Sequence, residues 1–92
     1  MEPILKLPDD FTDYAWEVEA KGVFWLARVV LDNHELPVTF YNPVSLAQEI
    51  EADLRSQGSF IVQNLIVVNR VTIEEMTRAV AGLWPGFFDG GS

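Results

Sequence analysis

The chain has no cysteine, one histidine, and only six basic residues against fourteen acidic ones. Each scarcity closes off a chemistry. Without cysteine there is no disulfide, no thiol nucleophile and no thiolate zinc site. A formal charge of −8 opposes binding to nucleic-acid phosphates or to an anionic membrane surface, and no basic stripe offers a local exception. Glycine-rich phosphate loops are missing, and none of the four serines, Ser45, Ser56, Ser59 and Ser92, sits in a nucleophile elbow. Long apolar runs are missing too. The two longest, Val23 to Leu31 and Phe60 to Val68, are strand-sized and interrupted by Arg28 or by Gln63 and Asn64, so no transmembrane helix is expected. The N-terminus has neither a cationic start nor an apolar core of signal-peptide length, and the expected setting is cytoplasmic.

What is present belongs to a folded protein. The chain is 49% hydrophobic and 12% aromatic, far from the composition of disordered segments, so its acidity belongs to a surface. Its 92 residues suit a single small globular domain, 1–92, with an irregular N-terminal arm over 1–13 and a flexible C-terminal tail over 86–92. A basic protein partner is electrostatically compatible with this charge, although solubility alone accounts for it.

The most informative stretch is Val23 to Leu31, which reads as a strand apolar on both faces and therefore in need of cover on two sides. Before it, Trp16, Val18 and Ala20 alternate with Glu17, Glu19 and Lys21, the period of a half-buried strand, and Lys21-Gly22 offers a tight turn. After it, Asp32 to Glu35 reads as a four-residue polar turn that sets Leu31 opposite Leu36, Val29 opposite Val38 and Ala27 opposite Phe40. Both turns then place Trp16, Val18, Trp25, Ala27, Val29, Val38 and Phe40 on one core face. Pro37 cannot donate to a ladder and assigns the third strand to an edge.

Asn42-Pro43 predicts a helix start, Leu46, Ala47, Ile50 and Leu54 its apolar stripe, and Gly58 its end. Ser59 to Val68 reads as a buried strand with a bulge or early break at Gln63-Asn64. Thr72 to Glu75 is a capping box ahead of a helix carrying Ile73, Met76, Val80 and Leu83. The expected class is α+β, a two-layer sandwich of order βββαβα. It has a three-stranded antiparallel meander, a fourth strand placed beside the first, and two helices on one face.

Candidate catalytic groups are few. His34 lies in a polar turn, where a cleft rarely forms, and Asp32, His34 and Glu35 are too close in sequence to converge on one ion. Glu17 and Glu19 share a strand face at about 7 Å, a separation used by glycosidases, yet every solvent-facing strand shows the same alternation. Asp9, Asp10 and Asp13 lack calcium-loop spacing, and Glu49, Glu51 and Asp53 read as a solvated helix face. No cofactor, no metal, no nucleic acid and no catalytic residue is expected.

The second sheet face is the better signal. There Phe24, Leu26, Val30 and Tyr41 form an apolar centre with Arg28, Glu17 and Glu19 around it, the composition of an interface. Either the terminal segments cover this face or another protein does. The expected function is that of a small acidic, non-enzymatic protein-binding module acting through a sheet face or as a homodimer, its partner being itself or a more basic protein. The alternative is a small-molecule-binding domain or minor enzyme with a pocket between helices and sheet.

Overall fold

The computed structural model describes residues 3–83. The chain runs β1 (Ile4–Lys6), α1 (Phe11–Lys21), β2 (Val23–Leu31), β3 (His34–Tyr41), α2 (Pro43–Gln57), β4 (Leu65–Val67) and α3 (Ile73–Ala81). Four strands form one mixed sheet in the order β1-β2-β3-β4, antiparallel except for the β3/β4 pair. The class is α+β, as expected, with a three-stranded antiparallel meander and two helices on one face. The elements that fill those places differ. The tail over 86–92 lies outside the described residues.

Residues 15–20 are helical, where a strand was expected. Two periods overlap here: Trp16, Val18 and Ala20 alternate, while Phe11, Tyr14, Ala15 and Val18 recur at i, i+3, i+4 and i+7. The second wins because Ala, Glu and Lys favour helix and only Val18 is β-branched. Phe11 and Val18 are buried on that stripe, and Trp16, which lies off it, is exposed. Gly22 is then not a hairpin turn but the left-handed cap of α1, at φ 73°, with its N–H donating to the Val18 carbonyl. The N-terminal arm is not irregular throughout, since Ile4–Lys6 pairs with Val30, Val29 and Arg28.

The hairpin between β2 and β3 is tighter than the four-residue loop expected. Asp32 takes positive φ (54°), Leu31 faces His34, and the register becomes Val29 with Leu36 and Ala27 with Val38. This is a slip of two residues, so every side chain keeps its face. Farther along, a bulge intervenes. Phe24 pairs with Phe40 while Ala27 pairs with Val38, which leaves Trp25 and Leu26 together opposite Thr39. The extra residue exchanges faces on β2: Phe24 joins Ala27 and Val29 in the core, and Trp25 is expelled from it, 61% exposed.

The core consists of Phe24, Ala27, Val29, Val38 and Phe40 from the sheet, Phe11 and Val18 from α1, and Val68, Val71, Met76 and Val80 on and before α3. Phe11 meets Phe24 edge to face at 5.0 Å between ring centroids. Helix α2 stands apart, for none of its residues is buried. Its ends follow the sequence: Asn42 Oδ1 accepts the Ser45 N–H at 2.7 Å, Pro43 occupies the first turn and Gly58 closes the last at φ 76°. At α3, the Thr72 hydroxyl oxygen accepts the Glu75 N–H at 3.3 Å, but the Glu75 carboxylate accepts from the Arg70 N–H instead of closing the box.

The last strand lies beside β3, not beside the first strand. Pro37 is accommodated because β4 pairs only with Thr39, Phe40 and Tyr41, stopping before the proline, and Asn64 Nδ2 donates to the Pro37 carbonyl at 2.7 Å. The strand itself is shorter than Ser59 to Val68. Asn64 adopts φ 51°, so extended pairing begins only after it.

These placements set the cost of truncation at two aromatic positions. Phe40→Ala, at a fully buried site, should cost about 3–5 kcal/mol in urea unfolding, a large share of the total for so small a chain. Trp25→Ala, at an exposed site, should cost less than about 1 kcal/mol.

Candidate functional site

Strand pairing decides which residues share the sheet face opposite α1 and α3. Because side chains alternate along a strand and paired residues point the same way, Leu26, Arg28 and Val30 of β2 lie with Ile4 and Lys6 of β1 and with Glu35 of β3. Among the described residues, no helix covers this half of the sheet. Ile4 and Leu26 are 65% and 55% exposed and Val30 is half-buried. Overall the molecule measures 41 × 35 × 19 Å, and its radius of gyration of 13.6 Å exceeds the roughly 12 Å usual for its length. The thin dimension matches a sheet whose core-forming helices, α1 and α3, lie on one face.

Of the seven residues expected at a partner-binding site, the structure brings three together: Leu26, Arg28 and Val30. Phe24 is 4% exposed and belongs to the core because of the bulge. Tyr41 does lie on the second face, but Phe60 packs against it edge to face, with ring centroids 6.3 Å apart, and it too is buried. Glu17 and Glu19 lie on α1, across the sheet from this face; Glu17 reaches only its edge, where it lines a recess with Leu26, and Glu19 turns instead toward α3. Ile4, Lys6 and Glu35 take their place. The alternation of Leu5 and Leu7 around Lys6 was the one sequence signal for them, and a three-residue strand is too short for it to stand out.

Arg28 is tied to Glu35, Nε to Oε1 at 3.4 Å, with Lys6 directly across from Arg28 in the register. Both members of the ion pair are solvated, so the pair orients the side chains more than it stabilises the fold. A recess of about 200 Å³ lies between Lys6, Leu7, Pro8, Leu26, Arg28 and Glu35. A second, of about 150 Å³, is bounded by Tyr14, Glu17, Lys21, Trp25 and Leu26. Leu26 lines both, so it marks where the open face and the flank of α1 meet.

A more voluminous concavity lies elsewhere. An open groove of about 540 Å³ runs between α1 and the start of α3, with Trp16 and Ile73 beside Glu19, Arg70 and Arg78. It lies between helices, not between helices and sheet. Glu74 and Glu75 also line it, so its two arginines face three carboxylates and no single sign of charge converges there. His34 is exposed at the first position of β3, outside every concavity described.

Tyr41 has the clearest electrostatic signature. Burial, and then the charges of Glu49 and Asp53 on α2, raise its phenol above the usual value of 10.0, because the phenolate would be both desolvated and repelled. The same two carboxylates place α2 on the Tyr41 side of the sheet.

No protein-family model, no curated protein and no solved structure matches the chain.

The Tyr41 environment generates a pH expectation. Its folded-state value lies above the unfolded one, so the stability it contributes is present below pH 10 and is lost as pH rises through the folded-state value. In a Tyr14→Phe background, where Tyr41 is the only tyrosine, absorbance titration near 295 nm should show ionisation above that of free tyrosine. Glu49→Gln with Asp53→Asn should lower it toward 10, and an unchanged titration would remove the two carboxylates as its cause.

Proposed function

We propose that the chain is a non-enzymatic module that binds another protein through the open half of its sheet, with Leu26 at the centre. The observation that supports this reading is the bulge, which leaves two consecutive large apolar side chains, Trp25 and Leu26, exposed beside a face that already carries Ile4 and Val30. Single apolar residues on a surface are ordinary, but a contiguous set is not. Lys6, Arg28 and Glu35 supply the polar border that fixes orientation at an interface.

The competing reading, a small-molecule site or minor enzyme, draws less support. Convergent polar groups in a largely apolar cavity are the mark of such sites. The groove beside α3 is instead open, and its charges are of both signs. Nor does the net charge of −8 favour nucleic acid, since the two cations of the open face have Glu35 beside them and the two arginines of the groove have three carboxylates. Among the described residues no helix is long and apolar enough to cross a membrane.

A photo-crosslinking residue placed at position 26 should give discrete protein adducts in the native cell, while the same residue at Thr12, an exposed position on α1, should give none of them. Identical adduct patterns at the two positions, or none at 26, would reject the face as a binding surface.

A further inference from the structure

Lys6 and Arg28 stand directly opposite each other across the β1/β2 pair, on the face that no described helix covers. Like charges so placed repel, which destabilises the pair instead of holding it. The relief inside the chain is partial. Glu35 approaches Arg28 on its Nε side, at 3.4 Å, and a guanidinium with five N–H donors has more than one carboxylate takes up. Among the described residues no carboxylate pairs with Lys6. Both cations are exposed and line the recess of about 200 Å³ that reaches Leu26. An anion seated between them would relieve the repulsion and accept from both.

Apolar surface adjoins this cationic spot. The recess of about 150 Å³ beside Trp25 shares Leu26 with it, and Tyr14, Val18 and Phe24 give it apolar walls. In a buried apolar cavity such a volume admits a benzene ring. Glu17 and Lys21 on its border carry one charge of each sign and set no preference. Leu26 and Arg28 point the same way two residues apart on β2, a separation of about 7 Å. Side chains i and i+2 of any extended chain have the same spacing, so one extended segment reaches both places.

Resting on the reading of this face as a binding surface, we propose that the segment it takes from its protein partner is extended, acidic and anchored by an aromatic side chain. The ring enters the recess beside Trp25 and Leu26, and a carboxylate two positions away sits between Lys6 and Arg28. This reverses what the net charge suggests. A chain of −8 favours a basic partner at long range, yet exposed charges are screened beyond about 8 Å at physiological salt, and the recess itself is lined by two cations and one carboxylate. The acids elsewhere on the surface repel a polyanion, so recognition goes to a placed carboxylate and not to negative charge in general.

Selection from a random peptide library displayed on phage, against the whole chain at physiological salt, is the test. Recovered peptides should carry Phe, Tyr or Trp with Asp or Glu two positions away. Made synthetically, they should lose about tenfold in affinity against Leu26→Ser and against Lys6→Gln with Arg28→Gln, all exposed positions at which circular dichroism should stay that of wild type. Replacing the peptide's acid by its amide should cost as much on wild type and nothing further on the Lys6/Arg28 variant, a coupling that a structural role for the two cations would not produce. Peptides that need Leu26 but carry no acid, or whose acid is indifferent to Lys6 and Arg28, overturn the inference and leave the face as a binding surface. Peptides indifferent to Leu26→Ser overturn both readings. If none is recovered until Phe87 and Phe88 are replaced by serine, the chain's own C-terminal residues are the occupant, and if Leu26→Ser disperses a wild-type dimer, a second copy is; either result overturns the inference.

Discussion

The arrangement depends on a junction where two helices and two strands meet at Gly22. Its N–H closes α1 on the Val18 carbonyl, and its own carbonyl accepts the Asn42 N–H at 2.9 Å, holding the start of β2 to the end of β3. Asn42 then caps α2 through the Ser45 N–H, and the Ser45 hydroxyl donates back to the Lys21 carbonyl at 2.7 Å. A side chain at position 22 would run into Asn42 and Ser45, and the positive φ disfavours one in any case. The direction of α1 across the sheet and the departure of α2 from it are therefore set at one point. Because α2 is anchored at this end and along its length only half-buries Leu46, Ile50 and Asp53, the junction is much of what holds it.

Local chemistry carried most of what was legible in the sequence. The caps at Asn42 and Thr72, the stop at Gly58 and the break at Asn64 each depend on a few neighbouring residues, and all four occur. The paired faces of β2 and β3 were readable for another reason: an error of two residues in register leaves the side-chain parity intact. Where an error is odd, as at the Trp25–Leu26 bulge, faces exchange, and no glycine or proline marks the spot. Helix α1 was hidden by a coincidence of periods over Ala15 to Ala20. The partner of β4 was hidden by Pro37, whose constraint applies to the first half of β3 while β4 uses only the second.

The same reasoning separates the parts of the candidate site that were legible from those that were not. That β2 is apolar on both sides, and that one helical layer leaves one side short of cover, follows from composition and length. Which residues occupy that side does not. Phe24 and Tyr41 read as surface anchors until the bulge turns one into the core and Phe60 packs over the other. The acids on α1 read as a rim only while that segment is taken for a strand. Arg28 and Val30 survive because they lie beyond the bulge, in the stretch where pairing with β1 and β3 is regular, and Leu26 survives as the bulge residue next to that stretch, which keeps its alternation.

Pro37 and Asn64 have a consequence beyond topology. The first half of β3 runs past the end of β4, and an unpaired strand edge of that kind is a template on which another chain can add and growth can continue. Here the backbone nitrogen of Pro37 has no hydrogen to donate, and the Asn64 side chain takes up its carbonyl. Both main-chain groups that an incoming strand would need at this position are withdrawn. The protein thus keeps an apolar, partly uncovered sheet while blunting, at this stretch of β3, the edge on which fibrous growth would start.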